Sequence, residues 1–419
     1  MTSSQSESRF IFVVCQQGAE QAVKHELSRN HPELNFAFSR PGFLTFKLIQ
    51  TENNNAWPES FLLKSTFART YGWSLGRASG NDANQLADQL LTEPQFAQWF
   101  SLQRDRGKLR HLHVWQRDSA IPGYRGFEPG ISPLAESVGE VILQRLNDNT
   151  APTAESTVAR RKLRLNQQVD KSEYVIDVVL VEPNQWWLGY HVASTTAGRW
   201  PGGVPLLSNE VEPINRAWMK AAEATAWAGM KIKAGETCAE IGSAPGGCAQ
   251  FLLSTGAKVI GIDPAEMDET IIAHENFTHI RKRGHQVQKK LLAAVKWLFA
   301  DLNQVPNYTL DTIEAIVTNQ HVHVKGIVLT LKVADWSQID AIPGFRQRVK
   351  GWGFKIVKTR QLAFNRQEFC LVGVRDRVYL RKPGRQQKLT TAPPVESQSP
   401  EPSPQPTNLN SPTPGVSEP

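Results

Sequence analysis

Residues 236–264, ETCAEIGSAPGGCAQFLLSTGAKVIGIDP, constrain the fold more tightly than any other stretch of the chain. The apolar run Thr237-Cys238-Ala239-Glu240-Ile241 stops on Gly242, as a strand buried in a parallel sheet does. Gly242-Ser243-Ala244-Pro245-Gly246-Gly247 follows, a tight turn of residues with little or no side chain. Residues 248–254 then take up helical spacing, with Phe251, Leu252 and Leu253 apolar, and stop near Gly256. A second apolar run, 259–262, ends on Asp263. Strand, turn, helix and strand in this order make half of a nucleotide-binding α/β unit. A structural strand-turn-helix with an incidental acid is the plainer reading of the same residues.

Small residues let backbone approach a ligand closely, and the amides that open the next helix point toward an anionic group. An acid at the tip of the second strand accepts hydrogen bonds from both hydroxyls of a ribose. A ligand carrying a carboxylate and a ribose, such as S-adenosylmethionine (SAM), suits that geometry. The turn lacks the G-x-x-x-x-G-K-[ST] spacing of a phosphate cradle, and no GxGxxG is present, which argues against a nicotinamide-dependent dehydrogenase.

With 419 residues the chain has room for roughly two or three domains, each with its own core. Its hydrophobic (40%) and charged (21%) fractions are those of a globular protein. The net charge of +7 favours a polyanionic partner, nucleic acid first, although a solvated basic surface gives the same count. Cys15, Cys238, Cys248 and Cys370 form no CxxC pair, so they read as buried small hydrophobes in a reducing compartment, and no metal site is expected. The N-terminus has no basic segment followed by a long apolar one, and no apolar run reaches membrane-spanning length. The expected location is the cytoplasm, without membrane attachment.

Residues 1–8 are polar and expected to be disordered. Residues 9–200 interleave strands (10–15, 43–48, 111–115, 173–180, 186–192) with helices (18–27, 85–99, 133–146), a pattern for an α+β region. Within it, 61–75 is apolar and aromatic, and 123–130, with Tyr124, Arg125 and Phe127, reads as an exposed loop. Residues 195–213 read as a Gly/Pro-rich linker. From 201 to 382 strands alternate with helices, which predicts a Rossmann-like α/β domain with a mostly parallel sheet. The tail from 383 to 419 is rich in Pro and Ser and expected to be disordered.

Ligands of open α/β sheets bind beyond the carboxyl ends of the strands. Asp301 and Lys332 stand there, directly after apolar runs. Glu368 opens the last strand, which brings it to the same edge if that strand runs antiparallel. Lys220, on the helix preceding the first strand, reaches that edge too. Two lysines and two acids suit deprotonation of a ribose 2′-hydroxyl, a poor nucleophile until a base takes its proton. An amine serves as that base if burial and a neighbouring cation lower its pKa, and methyl transfer then needs mainly in-line placement. Ordinary surface ion pairs are the alternative reading of each residue alone.

At this point the C-terminal half resembles the FtsJ-like family of RNA 2′-O-ribose methyltransferases with a Lys-Asp-Lys-Glu tetrad. The residues that carry the resemblance are Gly242 to Gly247, Asn215-Arg216-Ala217-Trp218-Met219-Lys220, Ala300-Asp301-Leu302, Leu331-Lys332 and Asn365-Arg366-Gln367-Glu368. In the N-terminal half, Cys15-Gln16-Gln17-Gly18-Ala19-Glu20, Phe67-Ala68-Arg69 and Trp187-Leu188-Gly189-Tyr190 are similar to the M type of the 23S rRNA 2′-O-ribose methyltransferases, which carry a THUMP-type RNA-binding region.

The resemblance spans roughly residues 9–380. It implies a cytidine ribose of 23S rRNA as substrate, on free RNA or on an assembling large subunit, and a monomer or weak dimer. By it, Lys332 is the general base, Asp301 and Lys220 support it, and Glu368 orients. Gly242, Ser243, Pro245, Gly246 and Gly247 hold the methionine part of SAM, Asp263 holds its ribose, and Glu240, Ala244 and Asp301 complete the cofactor site.

Two departures stand out. Glu240 replaces the family's usual Asp, and the stretch after the third strand, where the family places an acid against the adenine, reads Ile280-Arg281-Lys282-Arg283-Gly284-His285. An RNA-binding protein that keeps the fold and has lost catalysis is the alternative reading. Trp115-Gln116-Arg117, Tyr124-Arg125-Gly126-Phe127 and Arg199-Trp200 interleave aromatic and basic residues, as surfaces that stack on unpaired bases do.

Overall fold

The computed structural model describes residues 9–49, 61–148, 162–207 and 211–381. The polar start (1–8), the polar stretch at 150–160 and the tail from 383 lie outside the described residues.

The N-terminal part runs β1 (Phe10–Cys15), α1 (Glu20–Asn30), β2 (Leu34–Arg40), β3 (Phe43–Leu48), β4 (Ala68–Ser79), α2 (Ala83–Thr92), α3 (Pro94–Asp105), β5 (Leu109–Gln116), α4 (Pro133–Asp148), β6 (Arg164–Leu165), β7 (Tyr174–Glu182) and β8 (Gln185–Val192). Its sheet has the order β2-β3-β1-β4-β8-β7-β5-β6. Most pairs are antiparallel, but β5 runs parallel to both β6 and β7. The single helix expected over 85–99 is two helices. Pro94 has no N–H to give and pushes Glu93 out of helical geometry, to ψ 123°. β2 escapes a pattern reading because its residues are half-exposed and keep no clean alternation.

The second sheet follows: α5 (Ala217–Ala228), β9 (Thr237–Ile241), α6 (Gly247–Ser254), β10 (Lys258–Ile262), α7 (Glu269–Ile272), β11 (Phe277–Ile280), β12 (Val295–Asp301), α8 (Pro306–Val317), β13 (Gly326–Lys332), α9 (Ile342–Gly351), β14 (Ile356–Arg360) and β15 (Glu368–Val374). The strand order is β11-β10-β9-β12-β13-β15-β14. All pairs are parallel except those of β15, which is antiparallel to β13 and β14. Crossover helices pack on the sheet, so its central strands β9, β12, β13 and β15 are largely apolar and buried, the Rossmann-like arrangement. β11 was not anticipated from pattern alone, since four half-buried residues at a sheet edge carry little hydrophobic signal.

The run read as a linker is packed rather than slack. Trp200, Pro201, Gly202 and Gly203 are buried between the two sheets. Gly203 has φ +72°, and a Cβ there would sit 2.6 Å from the carbonyl oxygen of Arg69, so only glycine fits. Phe67 packs edge-on against Phe369 and Trp336, and Gln361 N–H donates to the Thr66 carbonyl. All four cysteines are buried and free. No helix among the described residues is long and apolar enough to cross a membrane.

Candidate active site

The antiparallel register of β13 and β15 sets Lys332 directly opposite Glu368. Asp301 ends β12, the parallel neighbour of β13, and Lys220 comes over the same edge from the second turn of α5. The four side chains meet. Lys220 Nζ donates to Asp301 Oδ2 (2.5 Å) and to Glu368 Oε1 (2.8 Å). Lys332 Nζ donates to Asp301 Oδ1 (3.3 Å) and to Glu368 Oε2. Each carboxylate thus bridges both ammonium groups, and the ring of charges sums to zero.

The two lysines differ in setting. The Lys220 side chain is 14% exposed and that of Lys332 is 29% exposed. Burial alone would lower the pKa of Lys220, but Asp301 and Glu368 outweigh it and push it up to about 12. The expected downward shift of an amine is therefore reversed at Lys220, which stays a fixed cation. Burial would raise Glu368, yet Lys220 and Lys332 hold it well below the usual carboxylate range. Asn365, fully buried, donates from Nδ2 to Glu368 Oε1 (3.1 Å) while its Oδ1 accepts from Leu362 N–H. It stood inside a recognised motif but was given no role, because a positioning amide leaves no mark in spacing.

The glycine turn lies alongside. Gly242 has φ +82°, and a Cβ there would meet the Asp301 carbonyl oxygen at 2.6 Å, so the turn is pressed onto the end of β12. Gly246 N-caps α6, and Gly247 packs against Asn215 Oδ1, which itself accepts from Ala217 N–H. Ser243 is buried, its hydroxyl toward Met267 Sδ (3.4 Å). Asp263 ends β10 and accepts from Ala244 N–H (3.3 Å) and Ala265 N–H (2.8 Å), with further acceptor positions on each oxygen. Glu240 is buried beneath the turn, and its Oε2 has no partner. Burial, reinforced by Asp301 and Asp263, pushes this carboxyl well above its ordinary range. Glu240, Lys220 and Asp301 share the wall of one small cavity. A cradle closed to any Cβ, a helix start and an unpartnered buried carboxyl oxygen fit a small polar ligand carrying a carboxylate and a ribose.

A second charged network, absent from the sequence reading except for Arg69, ties the N-terminal sheet to this site. Arg69 forms a bidentate pair with Asp118 (2.7 and 2.8 Å) and donates to the Gly202 carbonyl. Arg360 donates to the carbonyls of Arg69 and Gly203 and stands 3.7 Å from Glu223. Glu223 lies three residues beyond Lys220 on α5 and accepts from Ala363 and Phe364 N–H, just before Asn365.

Of the three aromatic-basic sets, two are turned inward. Trp115 and Trp200 are buried, and Arg117 is held by Val181 and Glu182. Tyr124 and Arg125 are exposed. Arg281, Lys282 and Arg283 are exposed just beyond β11.

The Rossmann-like sheet thus carries the charged ring and the glycine turn at the carboxyl ends of its strands, where open α/β sheets bind their ligands. Residues 213–361 match the family of FtsJ-like methyltransferases. The ribosomal RNA large subunit methyltransferase M of Shewanella putrefaciens is 23% identical over 217 residues, covering 48% of this chain and 60% of that protein. The protein of the same name from Shewanella denitrificans is 22% identical over 330 residues, covering 74% of this chain and 80% of that one. The first match thus spans about three fifths of that relative's length. Among solved structures, the fibrillarin pre-rRNA processing protein of Methanococcus jannaschii aligns with a TM-score of 0.30 at 16% identity, over 47% of this chain and 81% of that one.

Proposed function

We propose that this protein is a SAM-dependent methyltransferase acting on the 2′-hydroxyl of a ribose in ribosomal RNA, with a cytidine of 23S rRNA as the target the family resemblance implies. The observation that carries the reading is the closed ring of Lys220, Asp301, Lys332 and Glu368 beside the glycine turn. The match of residues 213–361 to FtsJ-like methyltransferases supports it.

Bound SAM supplies an electrophilic methyl group on a positively charged sulfur. The α6 amides, Gly242 to Gly247 and Asp263 would hold it, with Glu240 beneath the turn. Lys332, the more open of the two amines, would first release its own proton to solvent and then, as the neutral amine, take the hydroxyl proton at Nζ, leaving the 2′-oxygen to receive the methyl that SAM would supply. Lys220 keeps its proton throughout and holds both carboxylates ionised. Asp301 and Glu368 orient the Lys332 amine, and Asn365 fixes Glu368. The N-terminal α+β region (9–200) grips RNA in the manner of a THUMP-type region, and the catalytic domain runs from 201 to 382. The protein works in the cytoplasm on free 23S rRNA or an assembling large subunit, as a monomer or weak dimer.

Purified protein, SAM and rRNA from cells lacking the gene provide the test. Wild type is expected to install a 2′-O-methyl group, and Lys332→Ala is expected to lose about 10²–10⁴ in rate. Activity undiminished in Lys332→Ala would reject the mechanism. The exposed Arg281-Lys282-Arg283 stretch beside the adenine position favours one rival, an RNA-binding protein that has lost catalysis. A calorimetric titration with SAM decides, since absence of binding at millimolar SAM selects the rival.

A further inference from the structure

The loop between β5 and α4 belongs to the N-terminal part, yet it is anchored on the rim of the candidate active site. Arg366, two residues before Glu368, donates from Nε to the Pro122 carbonyl (3.0 Å). Arg216, one helical turn before Lys220, donates from Nε to Glu128 Oε1 (2.9 Å). Its guanidinium occupies the space a Cβ on residue 123 would need, with an Nη 1.4 Å from that position and the Arg366 guanidinium 3.0 Å away. At its base, Asp118 is locked by the buried Arg69. The loop is therefore fixed at both ends by residues whose near neighbours in sequence are members of the Lys-Asp-Lys-Glu ring.

Its tip is rigid as well. Gly123 N–H donates to the Phe127 carbonyl (2.6 Å), Tyr124 N–H to Ile121 and Phe127 N–H to Tyr124. Arg125 is held at φ 49°, ψ 36°, left-handed geometry that a non-glycine residue adopts only when its surroundings enforce it. The result is a pair of side chains turned outward. Tyr124 is 51% exposed, and the Arg125 guanidinium lies 5.3 Å from the centre of its ring. An exposed aromatic ring beside a guanidinium with no ion-pair partner among the described residues, on a stiff knob, offers one face for stacking and one charge for a phosphate. Arg366, exposed and bonded through Nε to the Pro122 carbonyl, adds positive charge between the knob and the ring, while Arg216 is neutralised by Glu128.

We propose that Tyr124 and Arg125 form a clamp for the nucleotide next to the methylated ribose, Tyr124 stacking on its unpaired base and Arg125 pairing with its phosphate. This rests on the RNA methyltransferase reading above and adds to it the element that presents the strand. Recognition is by stacking and charge, so the clamp takes single-stranded or splayed RNA and is tolerant of base identity at that neighbour.

The full-length chain is tested as Tyr124→Ala, Tyr124→Trp, Tyr124→Leu and Arg125→Ala. Three readouts apply: binding of an unstructured oligopyrimidine RNA, methylation of rRNA from cells lacking the gene, and SAM binding. Tyr124→Ala is expected to weaken RNA binding by about 5- to 150-fold, the range for loss of one base–aromatic stack, and to raise KM for rRNA with little change in kcat. Tyr124→Trp restores binding and Tyr124→Leu does not, while SAM affinity stays the same in all. Arg125→Ala lowers the slope of log affinity against log salt by about 0.7, one phosphate contact on a single strand.

RNA binding by Tyr124→Ala within twofold of wild type, or a leucine that serves as well as tryptophan, overturns the clamp. Wild-type protein that methylates rRNA while every Tyr124 and Arg125 variant matches it removes the clamp alone. Wild-type protein that methylates no rRNA removes the parent reading and the clamp with it.

Discussion

Two clusters in this molecule have the same formal composition, two cations and two carboxylates, and opposite characters. Around Asp301 the cations are lysines, the side chains reach partial exposure, and the four hydrogen bonds within the ring run from amine to acid, with Asn365 Nδ2 adding one to Glu368. Around Arg69 the cations are arginines, all four side chains are buried, and the guanidinium groups also donate to the backbone carbonyls of Arg69, Gly202 and Gly203. A lysine carries a proton it can give up, on a stem that moves. An arginine keeps its charge at any ordinary pH and its planar fork suits fixed docking. On the function proposed above, the first cluster would exchange a proton while the second holds one sheet against the other, and the choice of cation separates the two.

Exchanging the cations breaks the comparison most sharply. Lys332→Arg keeps the charge and removes the releasable proton, so methyl transfer falls by about 10²–10⁴ while the melting temperature stays near that of wild type. Unimpaired transfer by Lys332→Arg would mean that no proton passes through Nζ. Asp118→Ala acts the other way. It leaves Arg69 buried without its partner, and urea unfolding should report a loss of about 3–5 kcal/mol. SAM affinity of the fraction still folded should be unchanged. Arg69→Lys is the milder reverse exchange. It keeps one ion pair but forfeits the bidentate geometry and the bond to Gly202, a cost of about 1–3 kcal/mol. A stability equal to wild type would show that the fork contributes nothing.

The two clusters also differ in how far the sequence disclosed them. Asp301 and Lys332 were visible because each directly follows an apolar run, and a strand end is where open sheets place chemistry. Glu368 needed one further condition, an antiparallel last strand, and that condition holds. The direction of the Lys220 shift was not legible, since it depends on two carboxylates that arrive from distant strands. Glu223 and Arg360 left no trace, being far apart in the chain and unremarkable in their local patterns. β2 and β11 were missed as half-buried edge or near-edge strands, and the helix break at Pro94 was overlooked although proline announces it. Residues 195–213 looked like a linker because glycine and proline dominate them. Within them, residues 200–205 are buried, because Gly202 and Gly203 pass where a Cβ would strike Trp115 or the Arg69 backbone.

The smallest expected effect concerns acid, and it separates the two halves of the molecule by pH. Burial, then Arg164, lowers His111 to about 4, and burial, then His191, holds His113 well below its ordinary value. Glu173 lies 3.2 Å from His111 Nε2, and burial raises that acid from its ordinary value. Both histidines are neutral when folded and free to protonate when unfolded. Between about pH 6.5 and pH 4 the unfolded chain binds more protons, so stability falls as pH falls through that window. Glu368 is shifted the other way from a histidine with a partner: its folded pKa is depressed, so its contribution is present above the ordinary carboxylate range and is lost only below it. His191, packed on His113, has the opposite sign: burial would lower it, but Asp177 outweighs burial and raises it, so it offsets part of the loss from His111 and His113. Unfolding midpoints measured at pH 7.5, 6 and 5 should decline in wild type and decline less in His111→Asn, which has no group to titrate there. Equal slopes in the two proteins would show that His111 does not couple protons to folding.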